Sequence, residues 1–180
     1  SDSELFPNYL YFSDDNAKTW SSAVKTPARG IVPDKLLELS TGRWIIAAHY
    51  TAPDTKRLIQ RCWYSGDKGN TWSKPIIVAS DDKLNLCELS IIQLGSKLVG
   101  FMRENSFKGY DCYKVISEDY GQTWSDIINF PIPGCHRPVA LRLCDEQVLI
   151  GYRFLQGGVP GFGKWSQNFF VALTDIDSCL

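Results

Sequence analysis

Ser13-Asp14-Asp15-Asn16-Ala17-Lys18-Thr19-Trp20, Ser65-Gly66-Asp67-Lys68-Gly69-Asn70-Thr71-Trp72 and Ser117-Glu118-Asp119-Tyr120-Gly121-Gln122-Thr123-Trp124 are three copies of one octet, S-x-D-x-G-x-T-W, each starting 52 residues after the last. The first copy carries Ala17 where the others carry Gly. An apolar run leads into each: Tyr9–Phe12, Cys62–Tyr64 and Tyr113–Ile116. This is the chemistry of a tight turn closing a hairpin. A short carboxylate can accept from backbone N–H groups across the turn. Gly takes a positive φ at low cost, so Ala17 must be strained or turn differently. The Trp is expected to fold back as an apolar plug between neighbouring sheets. Asp15, Trp20, Asp67, Gly69, Trp72, Asp119, Gly121 and Trp124 therefore read as scaffold, although the acids look catalytic at first sight.

A second repeat lies between the octets. Pro33–Leu39, Glu88–Leu94 and Arg137–Leu143 align, and each is followed by a polar turn and an apolar strand: Trp44–His49, Leu98–Arg103 and Val148–Arg153. A third strand and the octet hairpin follow. Four strands in about 50 residues is the unit of a β-propeller blade. The fold class is therefore all-β, with four-stranded antiparallel blades. The chain opens in the third strand of one blade, crosses two full blades and continues through three strands of another, ending near Phe169–Thr174. That makes about thirteen strands, or about three blades, in one partial propeller domain over residues 1–180. Propellers close with four to eight blades, so a larger chain or a further copy is expected to complete the ring. Thr174-Asp175-Ile176-Asp177 begins like a fourth octet and then departs from it.

Composition agrees. Of 180 residues, 13% are aromatic and one is Met, with 14 Gly and 9 Pro as punctuation, and aromatic side chains suit pleated surfaces. A formal net charge of −1 offers no basic excess for nucleic acid. No apolar run approaches the roughly 20 residues of a membrane helix, and no leader is visible at Ser1-Asp2-Ser3-Glu4, so localisation stays open. The six cysteines lack a CxxC spacing and have only His49 and His136 as imidazole company. Buried free thiols are expected, not a zinc site. No metal or organic cofactor is implied.

The octets resemble the Asp boxes, or BNR repeats, of the sialidase (neuraminidase) superfamily, and the resemblance runs from about Tyr9 to Thr174. It implies a six-bladed propeller with its site on the central axis, on the face opposite the Asp boxes. It also implies a glycoside hydrolase that holds a substrate carboxylate with three arginines. In that scheme a Tyr nucleophile is paired with a Glu, and an Asp is the acid/base. A guanidinium trio matches a carboxylate through bidentate bonds, and a neutral Tyr approaches an anionic sugar without repulsion.

Glu88 opens a first strand and Arg103 closes the strand after it, similar to the family's nucleophile-activating Glu and second arginine. Arg137 and Arg153 hold the corresponding places one repeat later, and either could be the third arginine. Asp34 and His49 hold them one repeat earlier. Glu88 is the catalytic candidate; Arg103, Arg153, Arg137, His49 and Asp34 are the substrate-binding candidates, facing a carbohydrate. The family's first arginine and acid/base lie upstream of the first Asp box, where this chain has twelve residues and no Arg. For the nucleophile, Tyr152 should face away from Arg153 by strand alternation, and Tyr110 and Tyr50 are looser candidates. This stretch alone is not expected to hydrolyse sialosides. The Gly-rich loop Gln156–Trp165, with Phe162 and Trp165, and the loop Asn105–Tyr110 could line the same face. A non-catalytic glycan- or protein-binding propeller is the alternative reading.

Overall fold

The computed structural model describes residues 6–31, 34–106, 108, 111–144, 146–154 and 168–180. Among them, thirteen strands form four antiparallel sheets. Strands β1 (Pro7–Leu10) and β2 (Val24–Arg29) make the first; β3 (Leu37–Glu38), β4 (Trp44–Thr51), β5 (Leu58–Ser65) and β6 (Ile76–Ala79) the second. The third comprises β7 (Leu86–Leu94), β8 (Lys97–Glu104), β9 (Cys112–Ser117) and β10 (Ile128–Phe130). The fourth comprises β11 (Cys135–Arg142), β12 (Gln147–Phe154) and β13 (Asn168–Asp175), followed by one helical turn, α1 (Ile176–Cys179). Each sheet is a meander in chain order, as the repeat predicts. The Gln156–Trp165 loop, with Phe162 and Trp165, and residues Phe107, Gly109 and Tyr110 lie outside the described residues, as does Pro33.

The third sheet is buried on both faces. Along β8, Leu98 and Met102 point into a core shared with Ile45, Ala47, Cys62 and Tyr64 of the second sheet. Val99 and Phe101 point the other way, into a core with Val148, Ile150, Tyr152 and Phe154 of the fourth. The period of two thus splits one apolar run between two interfaces. All four β8 side chains are 0% exposed, and burying each contributes roughly 1.5–3 kcal/mol. The end sheets are covered on one side only. On β13, Phe170 and Ala172 pack inward, while Phe169, Val171 and Leu173 are exposed.

The octets are built almost identically. In the third, Thr123 gives its N–H to Asp119 Oδ1 at 2.9 Å and its hydroxyl to Asp119 Oδ2 at 2.6 Å, while Ser117 Oγ donates to Asp119 and accepts the Gly121 N–H. The same bonds recur around Asp67 and Asp15. They hold the three carboxyls below the usual carboxylate range. Gly69 and Gly121 take positive φ, and Ala17 is forced to +64°. The motif also has a ninth member: Ser21, Ser73 and Ser125 each accept the N–H of the residue just before the octet, Phe12, Tyr64 and Ile116.

One expectation is corrected. Trp72 and Trp124 pack against core clusters, but Trp20 is 60% exposed; it lies in the connection between β1 and β2, where Tyr9, Tyr11 and Val24 are exposed as well. At the C-terminal end the stretch departs from the octet as read: the acid falls one position early. Asp175 caps α1 by accepting the Ser178 N–H at 2.6 Å. The thiols of Cys62, Cys87, Cys112, Cys135 and Cys179 are buried and that of Cys144 is exposed, all six free.

Candidate functional site

Strand register fixes which ends of the sheets meet. The octets follow Ser65 and Ser117, which pair with Trp44 and Leu98 at the starts of β4 and β8. At the opposite ends of the strands, Cys87 pairs with Arg103 and His136 with Arg153. The candidate residues therefore collect on the face away from the octets.

There Arg103 Nη1 donates to Glu88 Oε2 at 2.9 Å, with the two side chains 8% and 18% exposed. Glu88 gives its backbone N–H to His49 Nδ1 at 3.3 Å. That bond assigns the remaining imidazole proton of His49 to Nε2. Burial, opposed by Glu88 and aided by Arg103, lowers the His49 pKa and keeps the ring neutral.

His136, not singled out from the sequence, pairs with Arg153 across the sheet and lies within the electrostatic reach of both arginines. Burial pushes its pKa down to about 4, and the charges of Arg103 and then Arg153 add to the shift against Glu88. Arg153 is partly buried, and its Nε has no protein hydrogen-bond partner among the described residues. Arg137 is exposed. Arg103, Arg153, Glu88 and the two histidines thus share one neighbourhood, in which Cys87 also senses Glu88, Arg103, Glu104 and Arg153.

Asp34 is placed differently. Its Oδ2 accepts from Ser90 Oγ at 2.6 Å, from the Ile91 N–H at 3.2 Å and from Lys35 Nζ at 2.9 Å, so that oxygen is committed to protein. Tyr152 is 7% exposed and packs 5.9 Å from the Phe170 ring, inside the core. Tyr50 lies under the Arg61 guanidinium, 3.5 Å from its ring centroid. Tyr110 is outside the described residues.

Two backbone features had no signature that the repeat alone would reveal. Glu88 and Arg137 sit at φ +55° and +52°, each inside a β-bulge where three residue steps on the first strand face two on the second. Left-handed non-Gly residues persist only where the surroundings over-determine them. Glu104, next to Arg103, is 2% exposed. It accepts from Asn85 N–H at 2.9 Å and from the N–H and hydroxyl of Ser106, tying the loops before β7 and after β8 at this face.

Chemically, the arrangement offers a carboxylate with a partly buried oxygen, two guanidinium groups and two neutral imidazoles in one rim. That set can hold a polyhydroxylated or carboxylated ligand by charge-assisted bonds. Among the described residues no three His, Cys, Asp or Glu side chains cluster as a metal site, and no helix is long and apolar enough to cross a membrane.

A family described as "BNR repeat-like domain" matches residues 4–150. A comparison with curated proteins gives no match. Among solved structures, a Dyadobacter fermentans protein described as of unknown function is 24% identical with a TM-score of 0.73, covering 95% of this chain and 48% of that one. A Penicillium chrysogenum α-L-arabinanase complexed with arabinobiose is 18% identical with a TM-score of 0.71, covering 94% and 55%. A point mutant of the NanB sialidase of Streptococcus pneumoniae is 19% identical with a TM-score of 0.67, covering 96% and 27%. The chain thus spans between about a quarter and just over half of their lengths. At these identities the likeness establishes the fold.

Proposed function

Because the chain belongs to the BNR repeat-like family, within the sialidase-like β-propeller superfamily, we propose that it is part of a glycoside hydrolase propeller that binds an acidic glycan through central arginines. The observation that carries this reading is the convergence of Glu88, Arg103, Arg153 and His136 on the face opposite the octets. Arg153 and the exposed Arg137 meet the sugar's carboxylate. Glu88, braced by Arg103, takes the proton of the nucleophile, and His49 offers its Nε2–H to a hydroxyl. The ring has six blades and is completed by sheets beyond the thirteen strands described, from further chain or a second copy. The uncovered faces around Phe169, Val171 and Leu173, and around Tyr9 and Trp20, support that completion.

The burial of Tyr152 in the core favours a second reading, a non-catalytic glycan- or protein-binding propeller. The intact protein separates the two when assayed with fluorogenic α-sialosides and α-L-arabinofuranosides and titrated with N-acetylneuraminic acid and arabinobiose. Sialoside turnover lost in Glu88→Gln supports the hydrolase. Binding of N-acetylneuraminic acid lost in Arg153→Ala, without turnover, supports the second reading. Arabinoside turnover or arabinobiose binding with no response to the acidic sugar removes the carboxylate assignment.

A further inference from the structure

We propose that Asp34 and Ser90 are positioning residues of this site. Each lends a side-chain oxygen to an edge amide of the next sheet's first strand, and the two together hold the bulges that present Glu88 and the His136–Arg137 pair. The inference rests on the reading of this face as a ligand site.

Strands β7 and β11 are the edges of their sheets. Alternate N–H groups of an edge strand point away from the ladder and need partners. In a regular strand those donors are two residues apart. Here the bulge between Cys87 and Ser90 shifts the parity. Glu88 and Ile91, three apart, both donate off the sheet, to His49 Nδ1 at 3.3 Å and to Asp34 Oδ2 at 3.2 Å. The bulge between His136 and Val139 does the same in β11, and the Ala140 N–H donates to Ser90 Oγ at 2.9 Å.

The two acceptors are linked. Ser90 Oγ donates to Asp34 Oδ2 at 2.6 Å, which turns the hydroxyl's lone pairs toward Ala140. Lys35 Nζ bonds the same Asp34 oxygen and the Ala140 carbonyl, at 2.9 and 3.3 Å. The network therefore joins the segment before β3 to β7 and β11, with Ser90 0% exposed. Three donors on one oxygen place Asp34 in the scaffold rather than against a sugar. Its chemistry acts through the backbone of Glu88, whose positive φ would otherwise relax toward extended geometry.

The test uses the intact protein. Amide exchange and scalar couplings are read by NMR in Ser90→Ala and Asp34→Ala, and each variant is titrated with N-acetylneuraminic acid and with arabinobiose. Loss of one hydrogen bond is expected to speed exchange about tenfold, at Ala140 in Ser90→Ala and at Ile91 in Asp34→Ala. The coupling signature of left-handed backbone should fade at Arg137 and Glu88 respectively. Sugar affinity should drop about tenfold in both variants. Asp34→Asn keeps an acceptor oxygen and should show a smaller Ile91 effect, which serves as the readout if Asp34→Ala does not fold. Unchanged exchange and couplings would overturn the proposal, as would altered couplings with sugar affinity kept at the wild-type value. If the unsubstituted protein binds neither sugar while the amides respond as expected, the ligand reading falls and the hydrogen-bond relay is upheld.

Discussion

Arg103 Nη1 and Glu88 Oε2 lie 2.9 Å apart across adjacent strands of one sheet, both side chains largely buried. The pair lies where the second strand of a repeat ends and the first begins, so backbone pairing brings the charges together before any ligand does. Once both are desolvated, each depends on the other: a lone buried charge costs far more than the pair contributes.

Arg103→Met should therefore lower the unfolding free energy by about 3 kcal/mol, and Arg103→Met with Glu88→Gln should recover much of the loss. Denaturant melts of the two variants and the double variant check this. Additive losses would mean that the pair is screened rather than buried.

The first octet should be the one that can be improved. Ala17 holds φ +64° where Gly69 and Gly121 hold +90° and +85°. Ala17→Gly should raise stability by about 0.5–1 kcal/mol, since relief of left-handed strain outweighs the added freedom of the unfolded chain. Gly121→Ala should do the reverse and more strongly. A Cβ there would meet Leu98 Cδ1 and Tyr64 Oη at 3.1 Å, besides the positive φ. Thermal melts should rank the three proteins Ala17→Gly, unsubstituted, Gly121→Ala.

The octets were legible because their bonds are local. Ser117, Asp119, Gly121 and Thr123 lie within seven residues, so the pattern carries its own geometry, and the fixed spacing places the sheets. The ends of the strands were legible as positions: Glu88, Arg103 and Arg153 fall together because the repeat puts them at equivalent places. Left-handed backbone at Glu88 and Arg137 was not, because a bulge is a mismatch between two strands and no single strand encodes it. Asp34 was read as a substrate-binding residue of the same rim; its bonding to Ser90 and Ile91 was not legible, because those partners lie 56 and 57 residues away. His136 was passed over because its importance lies in its neighbours. Within β11 it stands between Cys135 and Arg137 as a lone imidazole; strand pairing brings it Arg153, and only the packing of β11 on β7 and β8 adds Arg103.

His136 should make stability pH-dependent. Its folded pKa of about 4 lies below the ordinary histidine value of about 6.5. Between those values the unfolded chain binds more protons, so stability rises with pH. The contribution is complete above about pH 6.5 and disappears as pH falls toward 4. His49, also lowered, adds the same sign. His136→Gln should flatten the stability profile across that window while leaving the steeper acid loss below pH 4, where Asp15, held at about 2, takes up its proton. Melts at half-unit pH steps read the slope directly. An identical slope in the variant would mean that His136 is solvated.

Lys114 supplies the last test, because it is a buried cation with backbone rather than acidic partners. Its residue is 7% exposed. Nζ donates to Cys179 O at 2.7 Å and Ser178 O at 3.2 Å and stands 5.2 Å from the Phe130 ring centroid. Burial lowers its pKa, which the carbonyls must offset for the ammonium to stay. The ends of a short helical turn leave their carbonyls without helical partners, and Lys114 meets those of α1 from the third sheet. Lys114→Met keeps the apolar stem and removes the donor, so the loss isolates the bonds: about 2 kcal/mol for a charged donor on neutral carbonyls. Hydrogen exchange across residues 176–180 should rise with it, while the Asp67 and Asp119 octets stay protected. Faster exchange spread evenly over all four sheets would instead assign Lys114 to general packing.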